Sequence, residues 1–290
     1  MRKILITILL LIFSSSAFAD IATNIFSDYE PSARARGMGN AAIASCSDPS
    51  VIFYNPGGLD VAQAGVNASY AQLFSQEFEV LKTAAFSYHL PKYGTVGIGL
   101  QTMDVEYQDV NLQSEATFSL AHSFLLIGDV HSQWYLGYGL TLNYLSFGES
   151  VGGVDMGEES VFGLDIGTLA ILYDRIKIAF AAKNLNSPSV GDNRTYDLSR
   201  FFTIGVAYQP YDKVITELNL KQKFSEETKV SFGVEYEMID NFWLRTGAST
   251  YPNSISFGFG FLVKGIRFDY GLKTHAVLDP THHISLGYEF

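Results

Sequence analysis

The chain has 290 residues, of which 47% are hydrophobic, 14% aromatic and only 17% charged, and this composition excludes a disordered protein or a coiled coil. The longest unbroken apolar stretches are too short for a membrane-spanning helix, which needs about 20 residues. The formal net charge of −11 argues against nucleic acid as a partner, because phosphate binding needs clustered Lys and Arg.

The first twenty residues have the features of an export signal. A basic start at Arg2 and Lys3 precedes an apolar run over residues 4–13, and Ala17-Phe18-Ala19 fits the small-x-small pattern of signal peptidase sites. A short membrane anchor is the alternative, but this run spans only about half of a bilayer. We therefore predict a cleaved signal over residues 1–19. The single cysteine, Cys46, excludes an internal disulfide.

Residues 20–64 show no regular alternation and carry two motifs. The first is SARARGMGNAAIA at residues 32–44, and the second is SDPSVIFYNPGGL at residues 47–59. In the second motif, Pro56 stops a helix or strand, and Gly57 and Gly58 permit a tight turn against a wall. The sequence therefore predicts a separate segment over residues 20–64.

From Gly65 onward the hydrophobic period is two, which is typical of β-strands. Ile255, Phe257 and Phe259, for example, alternate with serines and glycines. A soluble sandwich alternates too, but its strands usually have five or six residues, whereas these segments often reach nine or more. The second face is rich in Gly, Ser and Ala mixed with charges, as in the lumen of an outer-membrane barrel. The predicted fold class is all-β, a transmembrane antiparallel barrel over residues 65–290.

We predict fourteen strands, at residues 65–74, 81–90, 94–103, 116–126, 134–146, 161–172, 176–184, 200–209, 213–223, 229–238, 242–250, 254–263, 266–274 and 283–290. Connectors after even-numbered strands are short, except 127–133, and those after odd-numbered strands include the long ones, 104–115, 147–160 and 185–199. Short periplasmic turns opposite long external loops are the outer-membrane pattern, which predicts that both termini are periplasmic.

The chain ends with an aromatic residue that closes the last amphipathic strand. Phe290 follows Tyr288 at alternate positions. This ending resembles the signal that the barrel-assembly machinery reads, so we predict that role for both residues. An ordinary final strand is the alternative.

The two N-terminal motifs resemble the N-terminal region of FadL-like outer-membrane barrels, and most closely that of the short PorV/PorQ-type proteins. With the signal, the strand count and Phe290, the resemblance covers essentially the whole chain. It implies that residues 20–64 fold into the lumen as a hatch, although Gly57-Gly58 stands where the family commonly has Ala-Gly. A periplasmic tail without a gating role is the alternative. The resemblance implies hatch and gating roles for Arg34, Gly37, Met38, Gly39, Asn55, Pro56, Gly57 and Gly58.

Two enzyme motifs occur in the wrong context. Residues 37–42 fit the G-x-G-x-x-A dinucleotide fingerprint with Asp60 following, but no buried strand precedes them. Residues 148–152 fit the G-x-S-x-G nucleophile elbow, but they lie in an acidic loop without triad partners. We therefore predict neither catalytic activity nor a cofactor.

Acidic residues dominate the predicted external loops. Asp155, Glu158 and Glu159 offer hard oxygen ligands, so divalent-cation binding is one hypothesis and simple solubility is the other. His282 and His283 are adjacent on a strand and face opposite sides, which argues against a shared metal. On the inner face, positive and negative charges mix, which indicates ion pairs that hold a plug or wall rather than a strongly selective pore.

These observations predict a barrel in the outer membrane of a diderm bacterium, with the surrounding lipid and the barrel-assembly machinery as partners. The family resemblance implies a channel for hydrophobic or amphipathic small molecules, gated by the hatch. The alternative that it leaves open is a PorV-type accessory of a type IX-like secretion system, which handles exported proteins at the cell surface. The fold alone does not decide between them.

Overall fold

The computed structural model describes residues 29–45, 47–107, 110–147, 158–190, 196–223 and 227–290. The predicted signal, residues 20–28 and Asp155 lie outside these ranges. Among the described residues, none of the helices has the length and apolarity needed to cross a membrane.

The described chain forms a closed antiparallel barrel of fourteen strands and one short hairpin. The strands in chain order are β1 (Gly65–Gln72), β2 (Glu79–Leu90), β3 (Gly94–Tyr107), β4 (Val110–Gly128), β5 (Ser132–Phe147), β6 (Glu158–Leu172), β7 (Ile176–Lys183), β8 (Ser189–Val190), β9 (Tyr196–Asp197), β10 (Phe201–Tyr211), β11 (Val214–Lys223), β12 (Lys229–Ile239), β13 (Phe242–Ser249), β14 (Ser254–Val263), β15 (Ile266–Lys273) and β16 (Thr281–Glu289). Strands β8 and β9 form the hairpin. The predicted fold class and strand number are confirmed.

The barrel closes where the first strand pairs with the last. β1 pairs with β16 from Gly65 opposite Glu289 to Gln72 opposite His282, and β1 also pairs with β2. Because lipid offers no hydrogen-bond partner, a sheet that spans a membrane must close in this way and leave no open edge.

The two faces of the strands differ as the alternation predicts. Along β1 and β16, buried and exposed side chains alternate residue by residue. The outward residues include Val66, Phe257 and Leu286, which are 42%, 52% and 56% exposed. An apolar outer belt of this kind suits lipid, whereas the inward positions carry Gly, Ser, Thr, Asn and charged residues.

The two ends of the barrel have different connections. One end, called the turn end, carries the connections at residues 91–93, 129–131, 173–175, 212–213, 240–241 and 264–265. The opposite end, called the loop end, carries the longer ones, including residues 184–200, which contain the β8–β9 hairpin. β1 begins and β16 ends at the turn end.

The predicted connector 104–115 is wrong for most of its length. β3 continues to Tyr107 and β4 starts at Val110. Asp104 fits within a strand because its carboxylate accepts hydrogen bonds from Lys82 Nζ at 3.2 Å and from Ser114 Oγ at 3.0 Å on the neighbouring strands. The charge of Asp104, which the predicted connector placed in a loop, is therefore satisfied by cross-strand partners.

The exception among the short connectors also disappears in the structure. The predicted connector 127–133 is reduced to residues 129–131. The Asp129 carboxylate accepts hydrogen bonds from the backbone N–H groups of His131 and Ser132 at 2.7 and 2.8 Å. An Asp that binds the backbone two or three residues further on closes a tight turn, so the strands extend to meet it.

Candidate functional site: the segment inside the barrel

Residues 29–64, of which Cys46 is not described, lie inside the barrel and are called the hatch. The predicted position of the N-terminal segment in the lumen is confirmed. The hatch contains one α-helix, α1 (Ala33–Gly37), and two 3-10 helices, Pro49–Phe53 and Pro56–Gly58. Its first described residue, Tyr29, packs near the loop end against a cluster that contains Leu81 and Met103. Its last residue, Ala64, directly precedes β1 at the turn end. The hatch therefore crosses the height of the lumen.

Each short helix of the hatch begins at a polar capping residue. The side chain of Ser32 accepts from the Ala35 N–H at 3.2 Å, and that of Asp48 accepts from the Ser50 N–H at 2.9 Å. The side chain of Asn55 accepts from the Gly57 N–H at 3.0 Å. Ser, Asp and Asn are favoured N-caps because their oxygens satisfy backbone donors that a helix start leaves free.

Asn55 also joins two parts of the hatch to each other and to the wall. Its Nδ2 donates to the carbonyl oxygen of Ile43 at 3.0 Å and lies 3.4 Å from that of Thr168 on β6. The backbone of Gly58 completes the turn, because its N–H donates to the Asn55 carbonyl at 3.0 Å. This fully buried asparagine therefore fixes the Asn-Pro turn in place.

A buried ion network joins α1 to the wall. Arg34 donates to both carboxylate oxygens of Glu235 on β12, at 2.9 and 3.0 Å. Arg245 on β13 donates to Glu235 at 2.5 Å and to Asp269 on β15 at 2.5 Å. Burial alone would lower the pKa of Arg34, but Glu235 raises it above its ordinary value. Two cations and two anions balance in this network, so each buried charge has a partner.

A second polar cluster lies beside the first. Glu30 pairs with Lys273 on β15 and with Arg36, whose Nη2 lies 3.2 Å from Glu30 Oε2. Arg36 Nε donates to Nδ1 of His283 at 3.1 Å, and His283 Nε2 lies 2.9 Å from Ser69 Oγ. This pattern places the imidazole proton on Nε2 of a neutral His283.

The charges of this second cluster shift the titration of the hatch residues. Burial alone would raise the pKa of Glu30, but Lys273 and Arg36 hold it well below its ordinary value. Burial lowers the pKa of Arg36, and Glu30 opposes that effect. Glu30 is therefore ionised at neutral pH and holds the hatch to β15.

Glycines let the hatch backbone touch the wall directly. A Cβ added to Gly137 would lie 2.3 Å from the Pro56 carbonyl carbon, and one added to Gly57 would lie 2.5 Å from Gly167. A Cβ on Gly247 would lie 2.3 Å from the carbonyl carbon of Met38. Such distances are far below ordinary contact, so the close approach needs these residues to be glycine.

The predicted hatch residues form two groups in the structure. The groups are Arg34, Gly37, Met38 and Gly39, which face β12 to β15, and Asn55, Pro56, Gly57 and Gly58, which face β4 to β6. Gly37 packs closely against Gly258 on β14: a Cβ added to Gly37 would lie only 3.1 Å from the Cα of Gly258. Gly39 follows the C-cap of α1, Met38, and has a φ of +66°, a conformation that favours glycine. The structure therefore shows where these residues lie, and their gating roles stay a prediction.

The wall partners of the hatch are functional residues that the sequence motifs do not predict. Glu217 on β11 accepts from the backbone N–H groups of Ala44 and Ser45 at 2.9 and 2.8 Å. Lys183 donates to the Phe53 carbonyl at 2.9 Å and pairs with Asp165 at 2.8 Å. The alternation of each strand places these charged side chains on the inner face. A charge in that position needs a partner in the lumen, and this was the feature of the sequence that could have identified them.

The two C-terminal aromatic residues lie on the outer face at the turn end. The rings of Tyr288 and Phe290 are 5.9 Å apart, edge to face, and Phe290 is 60% exposed. The N–H of Phe290 donates to the Ala64 carbonyl at 3.1 Å, next to the start of β1. The predicted role of these residues in barrel assembly stays a prediction.

The described residues include no group of three or more His, Cys, Asp or Glu side chains placed to hold a metal ion. His283 is buried in the lumen and His282 is exposed outside, as their adjacency predicts. The cation hypothesis for Asp155, Glu158 and Glu159 involves a residue outside the described ranges and stays a prediction.

The ion network predicts a large effect of removing Arg34. We expect Arg34→Met to lower the free energy of unfolding by about 3–5 kcal/mol, because buried Glu235 loses a bidentate partner. The matched control is Lys82→Met, which removes an exposed ion pair with Asp104 and should cost less than about 1 kcal/mol. Urea unfolding in detergent measures both. Equal losses for the two variants would contradict the role of the network.

The glycine contacts predict a difference between two neighbouring inward glycines of β5. Gly137→Ala should displace the Asn-Pro turn and cost about 1–3 kcal/mol, because its Cβ overlaps Pro56. Gly139→Ala is the control, because the nearest atom to its Cβ lies at 3.5 Å. Protease cleavage within residues 47–64 reports the displacement. A hatch that stays equally protected in both variants would contradict the close packing.

The depressed pKa of Glu30 predicts that the hatch loosens in acid. The stabilisation from its charge is complete above the ordinary carboxyl value of 4.5 and is lost as the pH falls through the lower folded value. We expect the protection factors of the hatch amides, the ratio of intrinsic to observed hydrogen-exchange rates at each pH, to fall below pH 4.5. In Glu30→Gln, the protection factors should be lower at neutral pH and should change less with acid. An unchanged pH profile in this variant would refute the assignment.

Comparison with known proteins supports this architecture. No protein-family model matches the chain, and no curated protein matches it. Among solved structures, the Pseudomonas putida toluene transporter TodX matches with a TM-score of 0.62 and 13% identity over 91% of this chain and 98% of TodX. The Ralstonia pickettii toluene transporter TbuX matches with a TM-score of 0.61 and 13% identity over 89% and 98%.

A Pseudomonas aeruginosa FadL homologue matches with a TM-score of 0.55 and 11% identity over 91% of this chain and 99% of its own. Sequence identities at this level establish the fold alone. The resemblance to PorV/PorQ-type proteins in particular stays a prediction. The chain has the FadL-type fold, a closed barrel with its N-terminal segment inside.

Proposed function

We propose that this protein is a channel that admits small hydrophobic or amphipathic molecules when the hatch moves. The observation that carries the proposal is the polar interface between hatch and wall. Water can solvate the partners of a buried ion pair once they separate, and a buried pair adds little net stability over apolar packing. Helix α1, which is held by ion pairs and single hydrogen bonds, is therefore suited to reversible release, whereas the part of the hatch around Ile52 and Phe53 is held by an apolar cluster with the wall.

The two groups of hatch residues divide the work in this proposal. Arg34 and the backbone at Gly37 to Gly39 hold α1 to one wall, where the ion network sets its orientation. The Asn55–Gly58 turn holds the opposite side by backbone contact and continues into β1. Release of α1 would open the lumen while the turn keeps the hatch attached.

The solved structures with a similar fold support small apolar molecules as the substrate class. Two of them are toluene transporters, and a third, CymD, is a monoaromatic hydrocarbon channel with a TM-score of 0.65. Small apolar molecules of that kind are the cargo that we propose for this chain.

We also propose that the barrel lies in the outer membrane of a diderm bacterium. The apolar belt, the short connections at one end and the predicted export signal support this location. The turn end, where β16 ends, would then face the periplasm together with the C-terminus, whereas Tyr29, the first described residue, lies near the loop end.

A second candidate is a PorV-type accessory that receives exported proteins at the loop end. The observation in its favour is how completely the hatch is tied to the wall, since Arg34, Ala44 and Phe53 each bond to a different strand. In that case the hatch would be a permanent plug. Co-purification of exported proteins with the barrel would support this candidate.

A reversible lock on the hatch tests the channel. The Cβ position of Gly37 lies 3.5 Å from the Cβ of Arg245, which is within the range for a disulfide. We expect Gly37→Cys/Arg245→Cys, in a Cys46→Ser background, to block uptake when oxidised and to restore it on reduction. Uptake of a radiolabelled monoaromatic hydrocarbon by intact expressing cells is the measurement.

The two redox states are compared in the same variant, so the loss of Arg245 is common to both. Gly37→Cys alone controls for effects of the reductant. Equal uptake in the oxidised and reduced states, above that of cells without the barrel, would contradict gating by the hatch. Uptake no faster than in cells without the barrel, in every state, would contradict the channel.

A further inference from the structure

A groove in the apolar outer belt crosses the seam at which β1 and β16 close the barrel. Outward side chains of β1, β2, β3, β4, β15 and β16 line it, and its volume is about 520 Å³. Pockets that bind small molecules usually measure about 300–1,000 Å³, so this groove, called the outer groove, is large enough to hold one ligand.

Two alanines form the floor of the outer groove. Ala68 on β1 lies opposite Ala84 on β2, and both point outward. In the same row, Leu286 on β16 lies opposite Ala68, and Leu100 on β3 lies opposite Ala84. Both leucines are exposed on the outer face. Because an alanine side chain ends at Cβ, the pair leaves a depression between larger neighbours.

Polar and aromatic side chains border the outer groove on its loop-end side. One row beyond the alanines, Tyr70 lies opposite Lys82, whose side chain is 56% exposed. The Lys82 ammonium lies 3.2 Å from Asp104 Oδ2, a contact that uses one of its three donors. His282 on β16, also outward, shares a 2.6 Å hydrogen bond with the Tyr270 hydroxyl. Aromatic and basic side chains of this kind lie at the headgroup level of membrane proteins.

The outer groove lies within the depth of one membrane leaflet. Along β2 it extends from Ala84 to Phe86, on the turn-end side of Lys82. Lys82 and Phe86 are four residues apart, which is about 13 Å along a strand and about 10 Å of depth at the usual strand tilt. The hydrocarbon of one leaflet is about 15 Å deep. A lipid whose headgroup lies beside Lys82 would therefore place an acyl chain over the two alanines.

We propose that the outer groove binds one phospholipid from the leaflet at the loop end. An acyl chain lies over Ala68 and Ala84, and the phosphate binds the Lys82 ammonium, since a lysine near the membrane surface attracts anionic lipid. A second copy of the chain is the other possible occupant, but an ammonium beside an apolar floor matches a lipid better than it matches the apolar belt of another barrel. This site depends on the proposed membrane location and not on transport.

Lipid binding to the purified full-length barrel tests the site without transport. The probes are phosphatidylglycerol and a diacylglycerol with the same acyl chains, which lacks the phosphate. Native mass spectrometry of the barrel released from detergent measures how many lipids bind and with what affinity. We expect one phosphatidylglycerol to bind more tightly than any further copy, and about fivefold more tightly than the diacylglycerol.

Two substitutions separate the acyl chain from the headgroup. Ala84→Phe fills the floor of the outer groove, so it should weaken binding of both lipids about tenfold, the equivalent of two buried methylene groups. Lys82→Met should weaken only phosphatidylglycerol, about fivefold, and so abolish the difference between the two lipids.

Each substitution has a matched control away from the outer groove. Ala248→Phe adds the same ring at an outward position of β13, which does not line the groove. Lys213→Met removes an exposed lysine that pairs with Asp240 at the turn end. Both controls should leave the two affinities unchanged. Urea unfolding in lipid-free detergent should differ little among the four variants, since all four positions are on the surface.

Equal affinity of the wild type and Ala84→Phe for phosphatidylglycerol, or the absence of a preferred first lipid, would overturn the proposal and leave the groove to ordinary boundary lipid. A wild-type dimer that Ala84→Phe dissociates, with no preferred lipid, would overturn it in favour of a second copy. A barrel that fails the lock experiment but still binds one lipid through Lys82 would refute the channel and retain this site. The opposite pair of results would retain the channel and refute the site.

Discussion

The requirement that every backbone polar group in lipid find a partner within the protein governs this structure. It forces β1 to pair with β16, because any open edge would leave N–H and C=O groups facing hydrocarbon. Fourteen strands closed in this way enclose a wide space. Their inward side chains are mostly small and do not fill it. The hatch occupies this space, so a barrel of this strand number needs its N-terminal segment to fill the lumen.

The hatch meets the wall through two kinds of contact with different physical roles. Backbone contact at glycines such as Gly137 and Gly247 sets the distance between the two surfaces and tolerates almost no change in shape. Ion pairs such as Arg34 with Glu235 set the orientation, since a bidentate pair is directional. Beside these contacts, Ile43, Ile52 and Phe53 of the hatch pack in an apolar cluster with small wall side chains, so the interface combines polar and apolar contact.

Much of this fold could be predicted from hydrophobic period, because inward and outward faces alternate strictly along each strand. The position of the hatch came from the resemblance of its motifs and from the inward glycines. Two kinds of feature could not be predicted from the sequence. Asp104 was read as part of a loop, although a cross-strand lysine accommodates it in a strand. The partner of Arg34 is 201 positions away, and no local pattern specifies which inward carboxylate it meets.

The position of the wall partners along the chain has a consequence for biogenesis. Helix α1 is made early, but Glu235, Arg245, Asp269 and Ser285, to which it bonds directly or through the ion network, belong to the last third of the polypeptide. Helix α1 therefore cannot dock until the final hairpins have been inserted, although the Asn55–Gly58 turn of the same segment contacts the earlier strands β4 to β6. Plugging and sealing of the cylinder become one terminal event, and a truncated barrel would be both unsealed and leaky.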